Sequence, residues 1–144
     1  MSLRALLDVN VLLALTDPAH SHATRAHTWW EQNRRAGWAS CPLTQNGFVR
    51  VASQPSYPRP IRAVDAVALL KSQIEDPAHV FWPDDISIVD SEIFDHSRLL
   101  GPNRIGDAYL LALAVKHGGR FVTFDRSVPR SAVRGAEPRH IVML

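Results

Sequence analysis

Three aspartates stand where a solvated acid is not expected, and together they suggest hydrolytic chemistry on phosphate. Asp8 lies in "RALLDVNVLLAL" (4–15), where it and Asn10 are the only polar side chains after Arg4. Burying a carboxylate costs several kcal/mol unless it is paired, hydrogen-bonded or bound to a cation. Asp125 follows the apolar run "RFVTF", and Asp107 opens the helical run "DAYLLALAV" that leads into it. In a parallel sheet the C-terminal strand ends share one edge, where such folds bind ligands. If the Asp8 and Asp125 strands are neighbours, the three carboxylates converge there. They repel one another unless a cation sits among them, and an all-oxygen set favours Mg²⁺ or Mn²⁺. Such an ion activates water and stabilises charge on a phosphoryl oxygen, so the implied reaction is phosphodiester hydrolysis.

Each acid also has a plainer reading. Asp8 can cap the following helix, Asp107 can serve the helix dipole, and Asp125 can begin an Asp-type turn in "DRSV". Asn10 suits a cap, or a hydrogen-bond partner standing behind the ligands. Rival sites are weaker. His20, His22 and His27 in "AHSHATRAH" suggest zinc, but His20 and His22 are not spaced as a helical pair and no cysteine joins them. There is no G-x-S-x-G elbow and no phosphate-binding glycine motif.

The elements that must position these residues are short and alternate in type. Apolar "RALLDV", "WASC", "HVFW", "ISIV", "RFVTF" and "HIVML" read as extended pieces. Helices are expected over "VNVLLALTD", from Ser21 to Arg34, from Pro42 through "LTQNGFVRVAS", over "IRAVDAVALLKSQI", over "DSEIFDHSRLL", and over "RIGDAYLLALAVKHGG" with Asn103 as N-cap. Core candidates include Ala23, Ala26, Trp30, Leu43, Phe48, Val51, Ile61, Val64 and Ala68. "QPSYPRP", with three prolines in seven residues, must be a loop. The alternation predicts one α/β/α domain over residues 1–144, a three-layer sandwich around a central parallel sheet.

Composition sets the outer limits. A chain of 144 residues, 46% hydrophobic and 21% charged, can bury a sizeable core. No run approaches ~18 apolar residues, so no membrane span is expected. Arg4 before an apolar run imitates a signal peptide, but Asp8 and Asn10 interrupt it, and a cytoplasmic protein is expected. The lone Cys41 leaves no internal disulfide. From Ser72 to Ser97 there are seven acids and no Lys or Arg; from Arg98 onward there are eight basic residues against three acids. That asymmetry suits a polyanion on the basic side, or simply an unevenly charged surface. Trp29, Trp30 and Trp38 would give the first helices more exposed apolar area than a monomer requires, which suits a small partner; the alternative is that they are core.

"LLDVNVLLAL", "PLTQNGFVRV" and "GDAYLLALAVKHGGRFVTFD", in that order along nearly the whole chain, resemble the PIN-domain ribonucleases, and more closely the VapC-type toxins of bacterial toxin–antitoxin pairs. The resemblance implies an acidic pocket for Mg²⁺ or Mn²⁺, cleavage of RNA, a small antitoxin that inserts a segment into or near the pocket, and a homodimer. Carried over by position, Asp8, Asp107 and Asp125 are the catalytic and metal-holding acids, with Thr123 in a supporting role. The family usually adds an acid from the helix at "PLTQNGFVRV", whereas no Asp or Glu occurs from Gln32 to Val64. Gln45 or Asn46 would fill that place as a neutral ligand or water holder, with weaker ion binding and a one-metal mechanism as consequences. Arg50, Arg126 and Arg130 are candidates to hold the RNA backbone. Two alternatives remain: a non-catalytic RNA- or partner-binding module with an incomplete pocket, and a haloacid-dehalogenase-type phosphatase. The second is disfavoured because "DVNVL" lacks the second acid of a D-x-D pair.

Overall fold

The computed structural model describes residues 3–144. Its centre is a five-stranded, wholly parallel sheet in the order β3-β2-β1-β4-β5. The strands are Ala5–Leu7 (β1), Trp38–Ser40 (β2), His79–Phe81 (β3), Arg120–Thr123 (β4) and Ile141–Met143 (β5). They carry apolar residues on both faces because both are covered. Leu6, Ala39 and Phe121 face one core, which is closed by helix α5 (Ile105–Lys116) and the irregular segments around Phe94 and Val133. Ala5, Leu7, Trp38 and Val122 face the other, closed by α1 (Val9–Thr16), α3 (Pro42–Ala52) and α4 (Ala63–Ile74), with the α2 (Ala23–Asn33) residues Trp29 and Trp30 packed against it. This is the expected α/β/α sandwich.

Several local expectations need correction. "ISIV" (86–89) forms no strand; Pro83 follows β3 closely, and Ile86 and Ile88 pack against the α5-side core from irregular backbone. "DSEIFDHSRLL" forms no α-helix. The Asp90 and Asp95 carboxylates take the backbone N–H groups of Glu92 and Ser97, which diverts the chain into turns and one 3₁₀ turn at His96–Arg98. Asn103 is not the cap of α5, since Pro102–Arg104 form a 3₁₀ turn and Arg104 is the residue that precedes the helix. Helix α4 buries Ala66 and Leu70, whereas Ile61, Val64 and Ala68 lie exposed, and so does Leu43 of α3. The apolar residues of α4 wrap around more than one face, so spacing alone did not select the buried one. Trp38 is only 4% exposed and Trp29 and Trp30 are half-buried, so the tryptophans are mainly core.

Two connections fix the edge of the sheet at which Asp8 lies. Asp8 follows β1, and its N–H donates to the Val122 carbonyl of β4 at 3.0 Å, which makes the two strands immediate neighbours. Helix α5 runs back to β4 through Gly118, whose φ of +67° lets the chain reverse at the helix end. The N-terminus of α5 therefore returns to the edge where β1 and β4 end. Among the described residues no helix is long and apolar enough to cross a membrane.

Candidate active site

Asp8 is the N-cap of α1. Its Oδ1 accepts the Val9 N–H at 2.8 Å, so the capping reading is realised. Its other oxygen, Oδ2, accepts the hydroxyl of Thr123 at 2.7 Å, a contact that helix capping does not require. Thr123 is wholly buried at the end of β4, and its Oγ1 in turn accepts the Asp125 N–H at 3.1 Å. Asp125 begins the turn anticipated in "DRSV": its Oδ1 accepts both the N–H and the hydroxyl of Ser127, at 2.8 and 2.6 Å. One threonine thus ties the first acid to the loop that carries the third. Asp107 occupies the first turn of α5 and completes the group.

The electrostatics show that these acids share one environment. Asp107 is pushed up to about 7, first by burial, then by a hydrogen-bonding approach to Asp125 and by the charges of Asp8 and Asp125. An acid serving only the helix dipole would move the other way. Asp8 is also raised, by burial and, in lesser degree, by the charge of Asp125, against the lowering effect of its Thr123 and Val9 hydrogen bonds. Asp125 is lowered by its Ser127 hydrogen bonds and by Asp107, with help from the Arg104 charge. Around neutral pH the Asp107–Asp125 pair therefore carries part of a proton, on the Asp107 side. Burial is the larger cause of this, and the neighbouring carboxylates add to it.

A hard divalent ion fits that donor set. The oxygens are all carboxylate, and a cation would remove the repulsion that raises Asp107. Among the described residues no three His, Cys, Asp or Glu side chains are gathered closely enough to hold a metal ion as they stand. An ion here would add water and a substrate phosphate to the carboxylates that hold it, as Mg²⁺ commonly does. The histidines are placed otherwise than as a zinc site. His20 and His22 instead lie against the Phe124 ring, at centroid distances of 6.4 and 4.7 Å, while His27 is exposed on α2.

The other candidate residues are less gathered. Helix α3 approaches the start of α1 closely, because Gly47 packs on Val9, the residue after Asp8. Gln45 nevertheless turns its amide to the buried Ser40 hydroxyl, at 3.0 Å, and that hydroxyl also contacts His79 Nε2 at 2.7 Å. Asn10, Asn46, Arg50, Arg126 and Arg130 are exposed, and no side-chain hydrogen bond or ion pair among the described residues fixes them. Two residues at the edge escaped the sequence reading. Ser127 had a signal, since it lies inside the anticipated turn. Arg104 had none: its guanidinium donates to the Ser127 carbonyl at 3.2 Å, across a gap of twenty-three residues. A hollow of about 460 Å³ lies elsewhere, between α1, α3 and the 54–61 loop, and contains none of the three acids. At the acidic edge Asp8 and Asp107 are half-buried and Asp125 is exposed.

A family model described as "PIN domain" matches residues 5–133. "Ribonuclease VapC44" of Mycobacterium tuberculosis is 54% identical, over 99% of this chain and 100% of its own length. Two further proteins of that organism are similar. "Ribonuclease VapC39" is 39% identical over 91% of this chain and 95% of its own, and "Ribonuclease VapC38" is 42% identical over 86% of each.

Proposed function

Because this chain belongs to the PIN-domain family, among its VapC-type members, we propose that it is the endoribonuclease toxin of a toxin–antitoxin pair, hydrolysing RNA phosphodiester bonds with Mg²⁺ or Mn²⁺ held by Asp8, Asp107 and Asp125. The observation that carries the reading is geometric: one Thr123 hydroxyl joins the Asp8 carboxylate to the Asp125 backbone at the ends of β1 and β4, and the raised Asp107, which feels the charges of both acids, supports it. When bound, such an ion supplies an activated water and offsets charge developing on the phosphoryl oxygens. The chain's own residues supply the geometry. Thr123 orients the Asp8 carboxylate, Ser127 orients that of Asp125, and Asp107 would have to release its proton to solvent in order to hold the ion. The printed names of the relatives, each a ribonuclease, support RNA as substrate, and the VapC-type resemblance adds a small antitoxin as partner. A homodimer and a cytoplasmic location complete the proposal.

The test is cleavage of labelled RNA by purified protein with Mn²⁺ and with EDTA. Cleavage that stops with EDTA, and that Asp8→Asn and Asp107→Asn each abolish while the protein stays folded, is the expected result. The same substitutions should relieve growth arrest on expression. Unchanged cleavage in both variants would sink the mechanism. A second reading, a non-catalytic RNA- or partner-binding module, is favoured by two facts: no acid stands between Gln32 and Val64, and no three His, Cys, Asp or Glu side chains among the described residues are gathered closely enough to hold a metal ion as they stand. RNA binding without any cleavage in Mn²⁺ would select it.

A further inference from the structure

A phosphodiester chain approaching three carboxylates needs positive charge beyond a single divalent ion. Arg104 is the cation the fold fixes next to those carboxylates. It lies three residues before Asp107, and its guanidinium reaches across to the Asp125 loop, where Nη1 donates to the Ser127 carbonyl. Ser127 in turn holds Asp125 through both its N–H and its hydroxyl. Arg104 is thus anchored by a backbone oxygen rather than neutralised by a carboxylate. Among the described residues it forms no ion pair within 4.0 Å, unlike Arg59, Arg62, Arg98 and Arg139. A guanidinium has five N–H donors, and one anchor leaves the rest of the fork for a ligand. The Arg104 side chain is exposed, so that fork is open to a ligand.

We infer that Arg104 is a substrate-positioning residue, which grips a backbone phosphate of the RNA next to the one being cleaved and so sets the strand across Asp107 and Asp125. The inference rests on the proposed ribonuclease reading for the word "cleaved", but the contact itself does not need the ion. Arg126 and Arg130 lie nearby in sequence after Asp125, yet nothing among the described residues anchors either side chain, so neither is held in one register. Planar, two-point recognition of phosphate oxygens is what distinguishes arginine from lysine in this role.

The experiment measures binding of a short labelled single-stranded RNA in EDTA, over a salt series, for the full chain and for Arg104→Gln and Arg104→Lys. Arg104→Gln should weaken binding roughly three- to tenfold and lower the slope of log K against log salt by about one; Arg104→Lys should restore the slope and only part of the affinity. In Mn²⁺, Arg104→Gln should raise KM more than it lowers kcat. Loss of the Ser127 anchor alone would lower kcat, through a displaced Asp125, and leave the salt slope untouched; that result overturns the inference. Wild-type affinity and slope in Arg104→Gln, or no RNA binding by the parent protein, overturn it too. If Arg104→Gln shows the binding defect while the parent protein never cleaves RNA in Mn²⁺, the catalytic reading fails and the phosphate contact stands.

Discussion

The Thr123 hydroxyl donates to Asp8 Oδ2 at 2.7 Å, joining the end of β4 to the residue after β1. Because the Thr123 hydroxyl oxygen also accepts the Asp125 N–H, its loss disturbs two acids at once. Thr123→Val keeps the shape but leaves a buried N–H without its partner and Asp8 without its donor. Stability should fall by about 1–3 kcal/mol. Mn²⁺ binding, followed by calorimetry, should weaken severalfold, since second partners of metal-holding groups tune affinity. Thr123→Ser, which retains the hydroxyl, should recover most of both. Normal ion binding by Thr123→Val would mean that the hydroxyl is only structural.

The proton on Asp107 gives a stability signature that needs no substrate. Unfolded, this acid titrates near its ordinary 3.8; folded, it titrates at about 7. Between those values the folded state binds the extra proton, so without metal the stability falls as pH rises through that window. Asp8, also raised, contributes with the same sign. Asp107→Asn removes the larger part. Its metal-free form should be more stable than the parent at pH 7 to 8, by about 1–2 kcal/mol after allowing for solvent screening, and equal to it near pH 4. Urea denaturation at several pH values reads this directly. A variant no more stable at pH 8 than the parent would contradict the crowded-acid reading.

A divalent ion should reverse that penalty. Added Mn²⁺ or Mg²⁺ should raise Tm in a concentration-dependent way, as any ligand of the folded state does. The gain should grow from pH 6 to 8, since Asp107 must lose its proton before it can hold the ion. Asp8→Asn and Asp107→Asn should each lose most of the gain. Differential scanning fluorimetry with and without EDTA suffices, and an equal shift in parent and variants would place the ion elsewhere.

Much of this edge was legible in the sequence because its parts are local. Asp8 in an apolar strand, Asp125 directly after one, and the helix between Asp107 and Gly118 each announce themselves through periodicity and flanking residues. The fold class followed from the same alternation. What failed was decided by competition or distance. Asp90 and Asp95 can serve a helix or divert it into turns, and only the packing of Phe94 against the segment around Val133 chooses. The face of α4 was misread because Val64, Val67 and Ala68 are as apolar as the buried Ala66 and Leu70. Gln45, read as a stand-in for the missing acid, is engaged by Ser40 of β2, whose hydroxyl is shared with His79 of β3. Arg104 has no sequence signal at all, because its meaning lies in a carbonyl twenty-three residues away.

The proline-rich loop is held at one point. Asp17 Oδ2 accepts the Tyr57 hydroxyl at 2.7 Å and the Arg59 guanidinium at 2.8 Å, pinning residues 54–60 over the hollow lined by Leu13, Phe48 and Leu69. The Tyr57 hydrogen bond, first, and Arg59 hold Asp17 below its usual range, while burial and Asp17 push Tyr57 up to about 12. Tyr57→Phe should cost about 1 kcal/mol. Arg59→Ala should cost less than half of that, since Arg59 is largely exposed. The sign of the pH effect is opposite to that of Asp107. A lowered acid stabilises above its unfolded value, and that contribution is lost as pH falls through the folded one. Asp17→Asn should therefore matter at neutral pH and cease to matter in acid, where urea midpoints of parent and variant converge.

Gly47 decides how near α3 comes to Asp8. A Cβ there would lie 2.6 Å from Val9 Cγ2, and a β-branched side chain within a helix has little freedom to move aside. Gly47→Ala would ordinarily gain helix propensity, by about 1 kcal/mol. Here overpacking should outweigh that gain and leave a net loss of about 1–2 kcal/mol. The strain falls on the residue next to Asp8, so Mn²⁺ binding should weaken together with stability. Val9→Ala removes the colliding methyl groups at the cost of some packing against the core of Leu7 and Phe48. Combined with Gly47→Ala it should be more stable than the sum of the two single changes allows, with a coupling of at least about 1 kcal/mol in a double-mutant cycle. Additive effects would show that α3 and α1 yield independently, and that the closeness of the two helices does not set the position of Asp8.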